Sequence, residues 1–179
     1  MRAAILALVL ALAAPPTTSP AQETTRMQST TMQASQDQGH TANRAAIEQF
    51  FSGLEAMDVQ RAVSAFAEDG VQVMPYSPDG FPKRLDGRAA ILRQYSALPD
   101  NYTSMRFPRE ILATEDPERF VVRYTGEIAL KAGGRYDNTY VGLFTVRDGR
   151  IQEFVEFFDP IILQKAFGAQ LQQNFNVRQ

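Results

Sequence analysis

Residues 135–160 read RYDNTYVGLFTVRDGRIQEFVEFFDP, and the fold turns on them. Two alternating runs, Tyr136–Val146 and Arg150–Phe158, flank the triplet Arg147-Asp148-Gly149. Asp-Gly between alternating apolar runs is a strong hairpin signal, because glycine accepts positive φ without steric cost. Successive strand side chains point to opposite faces. Gln152, Phe154, Glu156 and Phe158 therefore share one face of the second strand, and Ile151, Glu153, Val155 and Phe157 the other. Both faces are largely apolar, which predicts that both are covered. Glu156 stands out as a carboxylate set between Phe154 and Phe158.

Upstream of this hairpin the chain keeps the same period. Strands are predicted at Tyr102–Thr114 and Glu118–Leu130, with turns at Glu115-Asp116-Pro117 and Ala132-Gly133-Gly134. Before Tyr102 the period is helical. A helix is expected to begin near Thr41–Asn43, with Ile47, Phe50, Phe51, Leu54 and Met57 as its apolar stripe. Asp58 reads as the cap of a second helix that buries Ala62, Val63 and Phe66 and stops at Gly70. A short strand Val71–Met74 and an irregular loop Pro75–Leu85 follow. Asp86-Gly87 then opens a third helix burying Ile91, Leu92, Tyr95 and Leu98, and a closing helix is expected at Ile161–Leu171. Helices followed by a meander of long strands predict an α+β fold, with helices packed in a curved antiparallel sheet.

The ends of the chain read differently. Met1-Arg2 and the run AAILALVLALAA form a basic start and an apolar stretch too short to span a bilayer, as in a secretory signal peptide. Cleavage is expected after Ser19-Pro20-Ala21, with Ala13 as the alternative. Residues 1–21 are thus read as the signal and 22–43, rich in Gln, Thr and Ser, as a disordered polar linker. Residues 44–168 are read as the domain and 169–179 as a tail. The implied location is secreted or periplasmic, with no membrane attachment after cleavage.

Composition narrows the chemistry. The 179 residues carry a net charge of −2, which offers no electrostatic footprint for nucleic acid. There is no cysteine and a single histidine, His40, in the polar tract ahead of the domain. Thiolate, Ser-His-Asp and multi-histidine metal mechanisms are therefore set aside. No metal and no cofactor is expected; carboxylates, tyrosines and arginine carry whatever chemistry there is.

The segments IEQFFSGLEAMDVQRAVSAFAEDGVQVMP, LDGRAAIL and GLFTVRDGRIQEFVEFFDP resemble the SnoaL-like branch of the NTF2-like superfamily, over roughly Ala45–Phe167. The resemblance implies a cone in which a bent sheet wraps the helices and leaves a pocket at its open end. The branch's surroundings include ketosteroid isomerases, polyketide cyclases, limonene-epoxide hydrolases and many binding modules, so the fold implies a pocket before it implies a reaction. In the limonene-epoxide hydrolase group an arginine bridges two aspartates. The resemblance carries that arginine onto Arg123 and the last-strand acid onto Glu156. The second aspartate falls on Thr125, and the water-holding residues fall near Val71 and Val73, so epoxide hydrolysis by that route is not expected.

If Arg123 faces the pocket, alternation brings Thr125 and Glu127 with it, opposite Asn138, Tyr140, Gly142 and Phe144 on the next strand and Glu156 and Phe158 on the last. Glu156, Arg123, Glu127 and Tyr140 are the candidate catalytic residues. Thr125, Asn138, Phe144, Phe158, Tyr76, Tyr95 and Tyr102 are candidates for binding a ligand. Glu156 would act as base, with Tyr140 or Glu127 as acid, on a small, partly apolar organic molecule. Three readings stay open: a binding module, an acid/base enzyme (isomerase, cyclase or hydrolase), and a filled cone in which Arg123 and Glu127 or Glu156 form a buried ion pair. On the opposite face Thr139, Val141, Leu143, Thr145, Ile151, Val155 and Phe157 make a surface too apolar to stay wet, which predicts a homodimer through the outer sheet face.

Overall fold

The computed structural model describes residues 20–167; the signal-peptide reading falls mostly outside them, and the tail reading wholly so. Helix α1 runs Pro20–Glu55 and buries Ile47, Phe50, Phe51 and Leu54 as its spacing predicts. It starts well before Thr41, so residues 22–43 are helical rather than a disordered linker. Gln, Glu, Ala, Met and Arg are good helix formers. Once the packed turns around Phe50 have nucleated the helix, extending it is cheap, because nucleation is the costly step. Contacts divide the chain into Met1–Ser35 and Gln36–Gln179, and the second unit holds the sheet and the site. It also holds His40, read from sequence as outside the domain, whose ring lies 5.0 Å from that of Phe120.

Helix α2 (Val59–Val63) starts where expected, with Asp58 accepting a hydrogen bond from the Arg61 amide at 2.9 Å. It does not continue to Gly70. Strand β1 (Phe66–Val73) begins instead, because Phe66 is buried against Phe50 and its backbone pairs in parallel with the last strand. Gly70 is no helix stop. It sits at an irregularity in that pairing, where a Cβ would lie 2.7 Å from the Ile151 carbonyl oxygen. The predicted loop holds a further strand, β2 (Arg84–Asp86), and α3 (Arg88–Tyr95) and α4 (Leu98–Asn101) follow.

The single strand expected over Tyr102–Thr114 is two, β3 (Tyr102–Arg106) and β4 (Arg109–Ala113). Pro108 has no N–H to give to the ladder. The Glu55 carboxylate takes the Phe107 N–H at 2.8 Å, which fixes the break. Strands β5 (Arg119–Leu130), β6 (Arg135–Arg147) and β7 (Arg150–Phe158) are the predicted meander, and α5 (Pro160–Phe167) closes the described chain. Positive φ at Asp148 (51°) and Gly149 (67°) makes the β6–β7 turn that the Asp-Gly pair predicts.

The sheet order is β2-β1-β7-β6-β5-β3, with β4 also on β5. The sheet is antiparallel except between β1 and β7. A bulge in β7 pairs Thr145 with Glu153 but Val146 with Ile151. That shift turns Ile151 into the core, fully buried, whereas strict alternation had it on the outer face. Val141 and Leu143 on that outer face are 38% and 42% exposed.

Candidate functional site

The register of β5 against β6 decides which side chains face inward. Tyr124 lies opposite Tyr140 and Gly126 opposite Asn138, while Arg123, Thr125 and Glu127 lie opposite Val141, Thr139 and Asp137. The odd-numbered trio is on the outer side. The Arg123 side chain is 69% exposed and pairs with Glu110, so it neither bridges Glu156 nor forms a buried pair with Glu127. Thr125 is exposed and Glu127 is on the sheet surface near Arg135. The even-numbered residues Phe120, Val122, Tyr124 and Ile128 are the buried ones.

The other predictions divide. Glu156, Tyr140, Tyr95 and Tyr102 come together on a cavity of about 110 Å³ walled by Phe50, Phe51 and Leu54 of α1 and by Tyr124. Phe144 faces inward but stacks on Phe154, with ring centroids 4.2 Å apart, so it is core rather than wall. Those two rings also close over Gly142, where a Cβ would come within 2.8 Å of both. Phe158 stands 6.0 Å from the Tyr140 ring. Asn138 is buried and donates to the Tyr136 hydroxyl and to the Asp159 carbonyl, both at 3.0 Å, so it anchors the start of α5. Tyr76 is not at the chamber: it is 63% exposed, and its ring meets Phe157 on the other face of the sheet.

Two residues that the sequence reading passed over complete the centre. The Tyr124 hydroxyl donates to Glu156 Oε1 in a short hydrogen bond. Gln72, fully buried on β1, donates from Nε2 to Glu156 Oε2 at 3.2 Å and accepts from the Tyr95 hydroxyl at 2.9 Å. Tyr124 stacks on Tyr140 with centroids 4.7 Å apart, and the Tyr140 hydroxyl donates to that of Tyr136 at 3.0 Å. Burial pushes the Glu156 carboxyl up to about 7, against the opposing pull of the hydrogen bonds from Tyr124 and Gln72. Burial, followed by the nearby Glu156 carboxylate, raises Tyr124 and Tyr95 well above the ordinary phenol range.

An arginine does sit on the inner side of the sheet, but beneath the chamber. Arg109, opposite Tyr124 in the β4–β5 register, binds Glu48 and Glu55 of α1 and lies 5.0 Å over the Phe51 ring. Among the described residues no cluster of three or more His, Asp or Glu side chains can hold a metal ion.

A curved, largely antiparallel sheet whose inner face packs on a long helix and leaves an aromatic chamber defines an NTF2-like cone. The chain belongs to the SnoaL-like domain family, whose model matches residues 47–154. The phenazine biosynthesis protein PhzA1 of Pseudomonas aeruginosa is 31% identical over 136 residues, which cover 73% of this chain and 83% of that protein. The crystal structure of a phenazine biosynthesis-related protein from Pseudomonas aeruginosa superposes with a TM-score of 0.62 at 21% identity, covering 72% of this chain and 82% of that one. For the Δ5-3-ketosteroid isomerase of Mycobacterium sp. the TM-score is 0.59 at 18% identity, over 66% and 93%. The likeness to these two crystal structures is one of fold.

Proposed function

We propose that the chamber takes up a small, partly apolar organic molecule and that Glu156 exchanges a proton with it. The carrying observation is Glu156 itself: a half-buried carboxyl on the cavity wall, hydrogen-bonded on both oxygens, with its pKa pushed up to about 7. A general base is most effective when its pKa lies near the working pH. Tyr124 and Gln72 orient the carboxylate and favour its ionised form, and the surrounding rings hold an apolar body against it. Of the two acids named from sequence, Tyr140 lines the chamber, with its hydroxyl donated to Tyr136, and Glu127 does not. The ketosteroid isomerase among the neighbours of this fold is named for a reaction of this class, which supports the reading by analogy.

The test is solvent-deuterium exchange into the α C–H groups of cyclohexanone, followed by NMR. The purified protein is expected to accelerate exchange, and Glu156→Gln to lose at least about a hundredfold of that acceleration. Equal exchange by the two proteins would rule out Glu156 as the base.

The proposal includes export, motivated by the basic start and apolar run of residues 1–14. Mass spectrometry of the protein from the exported fraction should show a chain that begins at Gln22; an intact Met1 there would refute cleavage. It also includes a homodimer through the outer sheet face, motivated by the exposure of Val141 and Leu143.

A further inference from the structure

We infer that the chamber selects molecules of a single six-membered ring that carry no negative charge, anchored between Glu156 and the hydroxyl of Tyr102. This rests on the reading of the chamber as a ligand site.

Charge comes first. The cavity wall contains no Lys, Arg or His among the described residues, and its charged side chain is Glu156. Of the two arginines nearest in the register, Arg123 points outward to Glu110 and Arg109 is engaged by Glu48 and Glu55 behind Phe51. A carboxylate or phosphate ligand would meet Glu156 between aromatic walls with no countercharge, where like charges are weakly screened.

Size comes second. An apolar cavity of roughly 150 Å³ accommodates benzene. At about 110 Å³ this chamber is smaller than that, which makes one six-membered ring the upper limit of what it can take and excludes two fused ones.

Hydrogen bonding supplies the two ends. Glu156 accepts one bond on each oxygen from protein donors, and a carboxylate has about four acceptor positions. It can therefore take a further O–H, N–H or acidic C–H from a ligand. The hydroxyls of Tyr124, Tyr95 and Tyr140 are already donated to Glu156, Gln72 and Tyr136. Tyr102 differs. It is only 5% exposed and lines the cavity, yet its hydroxyl has no hydrogen-bond partner among the described residues. It is the donor left over for an acceptor atom of the ligand.

Calorimetric titration of the purified full chain at pH 8 with 4-methylphenol, 4-methylbenzoate and 2-naphthol tests this. The phenol should bind, and the benzoate and the naphthol should each bind at least tenfold more weakly. In Glu156→Gln the gap between phenol and benzoate should close to within a few-fold, and Tyr102→Phe should weaken 4-methoxyphenol, whose ether oxygen is an acceptor at the end opposite its hydroxyl, several-fold while leaving 4-methylphenol unchanged. Benzoate binding as tightly as the phenol, or naphthol doing so, would overturn the selectivity while leaving the chamber as a ligand site. No heat from any of the three would overturn the ligand site and this inference with it.

Discussion

Glu156 is held by opposing forces, and pH decides between them. Burial favours the neutral acid, while the donors Tyr124 and Gln72 favour the carboxylate; burial wins, and the pKa rises from 4.5 to about 7. The folded chain therefore holds this proton more tightly than the unfolded chain does. Between pH 4.5 and 7 the unfolded state has lost the proton and the folded state still binds it, so stability falls as pH rises. Over that window the loss from this group amounts to about 3 kcal/mol and then levels off above pH 7. Urea unfolding across this range should show the decline in the native protein and its absence in Glu156→Gln. Tyr124→Phe removes a donor to the ionised form and should move the carboxyl further up. Carbon-13 NMR of the Glu156 carboxyl should record a midpoint above that of the native chain, and an unchanged midpoint would mean that Tyr124 does not hold the charge.

At the scale of elements, the helix and the sheet are tied by a few buried polar contacts. Asn43 of α1 donates to the Pro117 carbonyl at 3.2 Å and accepts from the Gly149 amide at 3.0 Å, linking one helix to two turns 74 and 106 residues away. Asn43→Ala leaves both backbone groups without this partner and should cost about 2 kcal/mol in urea denaturation. The hairpin makes the opposite demand at Gly142, where close-packed rings exclude even a methyl group. Gly142→Ala should lower stability by about 1–3 kcal/mol, because the stacked Phe144 and Phe154 must shift. A thermal melt of that variant equal to that of the native chain would show that the rings yield freely.

For the whole molecule, the surface that bears on assembly is the outer face of the sheet. Val141, Leu143 and the edge residue Leu112 are each more than a third exposed, while charged pairs such as Arg123–Glu110 and Arg135–Asp137 stand among and beside them. If two copies pair there, Leu143→Arg should give a monomer by sedimentation velocity at micromolar concentration, with the fold intact by circular dichroism. A native chain that is already monomeric under those conditions would refute the dimer.

Much of this was legible in the residues. The alternation of 135–158 and the Asp-Gly turn sufficed for the hairpin, and spacing alone put Phe50, Phe51 and Leu54 in the core. The inward face of β6 and the place of Glu156 on β7 followed from the same period of two. The orientation of β5 was legible as well: Phe120, Val122, Tyr124 and Ile128 form an apolar set against Arg123, Thr125 and Glu127. Resemblance to a catalytic arginine pointed the other way, and the hydrophobic pattern prevailed, since burying the polar set would leave charges without partners. Other features are non-local and have no mark in the sequence around them. The parallel pairing of β1 with β7 brings Gln72 to Glu156 across 84 residues. The bulge at Gln152 turns Ile151 inward, and the break at Pro108 is fixed by Glu55 of a distant helix. The sequence by itself determined the β5–β7 meander, the apolar stripe of the first helix, the family and the acid at the centre. Only the tertiary structure decided which groups surround that acid, because burial and hydrogen bonding at one carboxyl depend on chain segments that meet only after folding.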